Sequence, residues 1–575
     1  MAFDVVAASY QEQDVQRTPL QVTVRSGLLM GFIAVFACSI GLIKIFNERW
    51  IIDSVITLGH TVLVVIAFCA GMLVQKRTSS QNIGAEAIQG FFAGAITGGM
   101  VSIIVLLIAN FKLRFMFVAL SKSLLNILTF KLGVGYGIAI LIGAGALLGL
   151  LGALIYSLPY IYRRSIIVGL SAAGLIGLFQ ELLQLIFQLV EPVRALFFTY
   201  DALRLSAAIG IFIAVSIGMF IWISNRDSFS AKFSSLPTAQ QKTIRFTTLA
   251  ILGLAVALFP YVAGNFFGQV FMFVGLYILM GMGLNLELGL AGLLDLGFVA
   301  FFAVGAYTTA LLTADNEYAI AAWSYWQALP VAVGLSLMVG ILFGVPVLKV
   351  RGDYLAVATL GLGEIVRVLV ISDMAEPVLG GAQGLLTIPR PSIGTFELDS
   401  PVELFYLTLV CAGVVAFFAW RLENSRLGRA WTAIRDDEDV AQALGINLVN
   451  IKLLAYGLGA AFAGVAGSIF AVMLGSIFPH SFQLLISINV LALLIVGGMG
   501  SIPGVIVGAA MLIGMPEMLR EFGEFRYLFY GIIIVVMMRI KAEGLWPSAA
   551  RKREMQEVDE TRSAIESELS ATGDS

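Results

Sequence analysis

The sequence predicts an all-α polytopic membrane protein of about 16 transmembrane helices, and three observations carry that expectation. Of 575 residues, 59% are hydrophobic and only 13% charged, with a mean hydropathy of +0.93, too few polar side chains to clothe a water-soluble globule. Apolar runs recur along the chain at the length a bilayer core demands, about 20 residues per helix. Sixty glycines among many Ala and Ser residues suit close helix–helix approach in lipid, where van der Waals packing holds helices together.

In chain order, residues 1–19 are acidic and polar with no basic segment leading into a short apolar run, so no removable signal peptide is expected. Six apolar segments follow, near 27–46, 55–74, 87–109, 136–158, 166–190 and 205–223. They define an N-terminal membrane region, 1–223, whose polar candidates His60 and Glu181 are either deep in the membrane or simply packed or interfacial. The stretch "SNRDSFSAKFSSLPTAQQKTIR", 224–245, is rich in Ser and basic residues and carries Pro237, and is expected to be a cytoplasmic linker. Ten further candidate spans lie near 246–262, 268–288, 296–313, 328–348, 354–371, 403–420, 452–474, 484–499, 503–515 and 526–540, giving a second membrane domain at 246–547. Residues 548–575 form an acidic tail of solvated composition. No internal repeat links the two halves.

Lys and Arg in short loops favour the cytoplasmic side. The pairs Lys76/Arg77, Arg163/Arg164 and Lys349/Arg351, the linker, the polar insert 421–452 and the basic start of the tail all share one side if the spans alternate. Both termini are then expected in the cytoplasm. One segment disagrees: 110–135 carries Lys112, Arg114, Lys122 and Lys131 with no acid, yet parity places it outside. An interfacial amphipathic helix or an extra hairpin would account for it. The aromatic run "NEYAIAAWSYW", 316–326, suits the outer interface.

Several chemistries lack their residues. Cys38, Cys69 and Cys411 sit in apolar runs without C-x-x-C spacing, and His60 and His480 are the only histidines, so neither a metal centre nor a disulfide framework is expected. There is no G-x-x-x-x-G-K-[ST], so no ATP-hydrolysing loop, and no H-E-x-x-H or G-x-S-x-G. No cofactor is expected on this chain.

The insert contains "RAWTAIRDDEDVAQALGINLVNIKLLAY", 429–456. Asp436, Asp437, Glu438 and Asp439 crowd a position where acids cap and complement a helix N-terminus, so a helix is expected from about Asp436. Val440, Ala443 and Leu444 share a face, Ala441 lies between them, Gly445 supplies a left-handed stop, and Asn447 or Asn450 can cap the next span. The helix would be about 15 Å long at ~1.5 Å per residue. Such an element can dock into a partner's groove, or be only a solvated loop. Five basic and five acidic residues between Arg421 and Lys452 nearly cancel, which argues against nucleic acid.

Within the apolar run 283–312, glycines at 283, 289, 292, 297 and 305 accompany Asn285, Glu287 and Asp295. Glycine breaks with polar groups near membrane depth are the signature of a discontinuous helix lining a pathway; the alternative is a helix end in the headgroup zone. Glu364 and Arg367, three apart, can pair on one face of a span, either fixing that helix beside the pathway or touching solute. "GGMGSIPG", 497–504, suits a tight reversal between two short helices.

"DVAQALG", 439–445, resembles the E-A-A-x-x-x-G loop of ABC importer permeases. Together with "GLNLELGLAGLLDLGFVAFFAVGAYTTALL", "LKVRGDYLAVATLGLGEIVRVLV", "GGAQGLLTIPRP", "ENSRLGRAWTAIRDDEDVAQALGIN", "FPHSFQLLISINVLALLIVGGMGSIPGVIVGA" and "RYLFYGIIIVVMMRIKAEGLWP", in that order, it resembles the LivM-type permease of branched-chain amino acid, amide and urea ABC importers over residues 246–547. The resemblance implies a bacterial plasma (inner) membrane protein surrounded by lipid, paired with a LivH-type permease. Two cytoplasmic ATP-binding subunits would consume the ATP, and an extracytoplasmic solute-binding protein would deliver substrate. It also makes Asp436–Gly445 the ATPase-coupling helix. Residues 1–223 show none of these blocks, and their role is open. An ion-coupled secondary transporter acting alone is the alternative, which would need no docking helix.

Overall fold

The computed structural model describes residues 18–77, 83–111, 113–115, 117–187, 191–199, 202–235, 237–347, 350, 353–541, 543–548. The acidic tail beyond Ser548, the polar start of the chain, and the topology markers Lys112, Lys349 and Arg351 lie outside them.

Among the described residues, 12 helices are long and apolar enough to cross a membrane. Gly253–Ala263, Val299–Thr313 and Ile502–Met518 are shorter apolar helices, and Phe525–Ile540 has 16 residues, so these account for the remaining expected spans. The fold is all-α, as composition requires. The chain divides into two compact units, Met1–Ile251 and Leu252–Ser575. Within the polar stretch 224–245, residues up to Ser234 continue the helix Leu205–Ser234, and those from Thr238 begin the helix Thr238–Ala263.

In the first unit, Ile83–Asn110 and Val134–Ser157 approach backbone to backbone. Gly90, Gly94 and Gly98 recur every four residues against Leu141, Gly145 and Gly149, and a methyl built on Gly94 would stand 2.1 Å from the Gly145 carbonyl oxygen. Small residues at four-residue spacing permit this contact in lipid. The expected span 166–190 is two elements: Tyr160–Leu178 begins behind Pro159, and a separate short helix, Gln180–Phe187, follows. Gln180 Nε2 donates to the Trp50 carbonyl at 2.9 Å, and Glu181 pairs with Arg49 at 3.5 Å, so Glu181 holds loops together rather than sitting deep. Four tiny strands close that end, in spatial order Ile56–Thr57, Trp50–Ile52, Ala202–Leu203, Phe198–Thr199. The disputed basic segment is neither a hairpin nor a span: its helix Lys122–Leu128 has seven residues and buries Leu124 and Leu128.

The second unit is organised around Leu448–Leu474, the most buried of the long helices. Its small residues admit Asn265–Leu284, Val299–Thr313 and Tyr325–Val347 around it. Glycine 467, for example, lies where a methyl would meet the Phe302 carbonyl at 2.0 Å. Phe298, Phe301, Phe302, Trp431 and Tyr456 fill the spaces between them and are fully buried. At the aromatic run, Trp326 Nε1 donates to the Ser392 carbonyl at 2.7 Å, tying it to the hairpin Ser392–Ile393/Phe396–Glu397.

Candidate functional site: a broken helix tied to the polar insert

The helix Asn265–Leu284 does not continue as an α-helix. It passes into a π-turn, Asn285–Leu290, and a non-helical stretch before restarting as Val299–Thr313. Single π-turns recur at functional positions in helices. The local sequence explains the break. The Asn285 side chain accepts from the Gly500 N–H at 2.8 Å, and Gly292 takes φ +71°, a left-handed conformation that ends the turn.

Non-helical backbone at membrane depth survives only where its polar groups are satisfied. Here the Leu293 N–H donates to the Glu287 carbonyl at 2.9 Å, Leu296 N–H to the Thr359 hydroxyl at 3.0 Å, Gly297 N–H to the Asp295 carboxylate at 2.7 Å, and Val299 N–H to the Ser487 hydroxyl at 3.0 Å. Thr359 and Ser487 come from other helices, so the break is clamped by its neighbours.

Glu287 and Asp295 are 0% and 1% exposed. Their side chains interact with each other, and Asp295 also with Tyr456. Glu287 presses on the Leu448–Leu474 helix, where a methyl built on Gly459 would stand 2.0 Å from Glu287 Oε1. The Glu287 and Asp295 carboxyls and the Tyr456 hydroxyl thus form one buried polar cluster within an otherwise close-packed core.

The polar insert holds two helices. Arg426–Asp436, capped by the Ser425 hydroxyl, precedes the expected one, and Asp436 ends this helix rather than starting the next. The reason is Asp437: its backbone is extended, at φ −158°, while its carboxylate accepts from the Asp439 and Val440 N–H groups at 2.9 and 3.0 Å. The second helix is therefore six residues, Glu438–Ala443, about 9 Å at ~1.5 Å per residue. Gly445, at φ +89°, closes it, with the Ile446 N–H donating to the Ala441 carbonyl at 3.1 Å. Asn447 caps the next span by accepting from the Asn450 N–H at 3.2 Å.

One face of the pair of helices is anchored and the other is bare. Trp431, Ile434 and Ala441 are buried, and Trp431 Nε1 donates to the Ile451 carbonyl at 2.8 Å. Glu438 bonds the largely buried Lys452 ammonium at 2.5 Å. On the opposite side Val440 and Leu444 are 54% and 77% exposed, beside an exposed Ala443. Glu438→Ala strands the Lys452 charge and is expected to cost about 1–2 kcal/mol, seen as a lowered thermal midpoint and faster amide exchange across 437–444. Unchanged exchange there would refute the anchoring role.

Insert and broken helix meet directly. Arg435 Nη1 donates to the Gly289 carbonyl at 2.7 Å, within the π-turn. A methyl on Gly292 would stand 2.8 Å from Arg435 Cγ, and one on Gly289 would stand 2.7 Å from the Gly500 nitrogen. Gly289 and Gly292, expected beside a pathway, thus lie against Arg435 and the 497–504 turn. The last described residues return to that turn, Trp546 N–H donating to the Gly497 carbonyl at 2.8 Å. Sequence reasoning passed over Arg435, Tyr456 and Gly500. The Ser425 cap followed by Leu427, Trp431 and Ile434 at helical spacing was the available signal for the first insert helix.

Glu364 and Arg367 pair at 2.8 Å on Asp353–Ile371, with side chains 41% and 35% exposed. Arg367 borders a shallow cleft with Val299, Ala303, Tyr307, Val366 and Phe482, and the Tyr307 hydroxyl has no partner.

The family described as branched-chain amino acid transport system / permease component matches residues 266–538. The high-affinity branched-chain amino acid transport system permease protein LivM of Escherichia coli (strain K12) is 37% identical over 337 residues, covering 54% of this chain and 77% of the relative. The LivM protein of Salmonella typhimurium gives the same identity and coverage. The E. coli permease LivH is 23% identical over 257 residues, 43% of this chain and 82% of its own length. No solved structure matches.

Proposed function

The chain belongs to the LivM-type branched-chain amino acid transport permeases, and from that premise we propose that it is the membrane permease subunit of an ATP-driven importer. Its cargo would be branched-chain amino acids or chemically related amides or urea. In this reading both termini and the polar insert face the cytoplasm of a bacterium, a LivH-type permease completes the pathway, and two ATP-binding subunits dock on the insert. A solute-binding protein loads the opposite side. The observation that supports it most is the Arg435–Gly289 bond, because it joins an exposed docking element to the break in a membrane helix.

The insert helices would act as one lever. Closure of the ATPases moves the bare face of Val440, Ala443 and Leu444; Trp431 and the Glu438–Lys452 pair pass that movement to Leu448–Leu474. Arg435 passes it to the π-turn. Glu287 and Asp295, buried in the chain's own core, then serve the bending of the break rather than ground-state solute binding. The pathway wall would instead be the half-exposed face of Glu364 and Arg367, since charges at membrane depth face water-filled or protein-covered space rather than lipid.

Reconstitution into liposomes with and without the ATP-binding subunits, the LivH-type permease and the solute-binding protein tests this. Leucine uptake is expected only with the full set and ATP. Uptake by the chain alone, driven by a proton or sodium gradient, would overturn it in favour of a secondary carrier.

A further inference from the structure

The family match begins at residue 266, so it leaves the first unit unaccounted for. That unit holds a cavity of about 740 Å³, within the size range of small-molecule sites, about 300–1,000 Å³. Its depth is apolar, walled by Leu63, Val64, Val101, Leu141 and Leu148 between the glycine-packed helices. Its rim is polar. Lys44 and Lys131 stand there with Glu48 as the single acid among the lining residues, and neither lysine makes an ion pair among the described residues.

The rim is also strained. Ser54, Phe130 and Lys131 all have left-handed backbones, at φ 58°, 53° and 62°, and all three line the cavity. Such conformations cost of order 1 kcal/mol or more each and persist where surroundings fix them, often at ligand clamps. Phe130 stacks on His60 with ring centroids 5.0 Å apart, and the imidazole is held by the Thr57 hydroxyl at 2.8 Å and the Ile127 carbonyl at 3.3 Å. Lys131, with its left-handed backbone, lines the same cavity as Lys44. Of the basic residues in 110–135, Lys131 is the one that lines the cavity among the described residues.

We propose that this cavity binds an amphipathic anion, its acidic head between Lys44 and Lys131 and its hydrocarbon chain between the helices below. An anionic phospholipid and a free long-chain fatty acid share that chemistry.

The test uses the purified, delipidated full chain and native mass spectrometry. Phosphatidylglycerol, phosphatidylcholine with the same acyl chains, oleate and glycerol 3-phosphate are offered separately. One phosphatidylglycerol or one oleate is expected to be retained per chain, about ten-fold more strongly than phosphatidylcholine, with glycerol 3-phosphate not retained. Whichever of the first two is held identifies the source. Lys44→Glu with Lys131→Glu is expected to lose that retention, as is Ala144→Trp, which fills the cavity from an exposed wall position. Lys122→Glu, outside the lining, should keep it. If charge reversal disturbs folding, Lys44→Gln with Lys131→Gln gives the same reading. Equal retention of phosphatidylcholine, or full retention by both the double-lysine and Ala144→Trp variants, would overturn the proposal.

Discussion

Val440→Asp combined with Leu444→Asp is expected to abolish ATP-driven uptake while the protein still inserts and folds. Both side chains are exposed, at 54% and 77%, and neither supports the core, so the folded chain tolerates charge at these positions. Against a partner groove the balance reverses. Each substitution removes apolar burial worth about 1.5–3 kcal/mol and adds a carboxylate with no guaranteed partner. A combined loss of some 4 kcal/mol corresponds to roughly a thousand-fold weaker docking. The measurement pairs co-purification of the ATP-binding subunits with uptake in vesicles. Both should fail together, and variants that still capture the ATPases and transport leucine would remove the docking face from the mechanism. Gly445→Trp probes the same element differently. No atom stands within 4 Å of a methyl built there, so only the left-handed backbone resists the change.

How far the chain could be read from its residues alone depended on whether the signal was local. Apolar length is local, and the spans came out near their bounds except where the chain broke, as at Gln180, which begins a separate helix and bonds the Trp50 carbonyl. Asn285, Glu287, Gly289 and Gly292 signalled a break because a plain lipid-facing span has no use for glycine and polar groups clustered at membrane depth. What the break is tied to was not local. Gly500 is 215 residues from Asn285, and Arg435 is 146 from Gly289, and nothing in either sequence neighbourhood names the other. In the insert, four consecutive acids pointed to a helix start but not to which one caps. Asp437 takes the role because its extended backbone aims its carboxylate at two free N–H groups, leaving Asp436 to end the helix before it. The rim of the cavity in the first unit was illegible for the same reason. Phe130, with its left-handed φ, stacks on His60, far away in sequence.

Arg435→Ala is expected to separate ATP hydrolysis from transport. The guanidinium donates to the Gly289 carbonyl inside the π-turn, and this is a charged hydrogen bond in a half-buried setting, worth about 1.5–3 kcal/mol. If the insert biases the break through that bond, removing it changes the equilibrium between break conformations by roughly 10- to 100-fold. The docking face is untouched, so the ATP-binding subunits should still bind and turn over. Uptake per ATP should fall by at least about ten-fold. Gly292→Val should reproduce the defect by another route, since its side chain would press on Arg435 from 2.8 Å and the backbone at φ +71° resists a branched residue. A merely structural role predicts something else: a lower thermal midpoint, with hydrolysis and uptake falling in proportion. Leucine transported per ATP consumed, measured in the same liposomes, distinguishes the two. A wild-type ratio in Arg435→Ala would make the bond a structural tie and remove it from the lever.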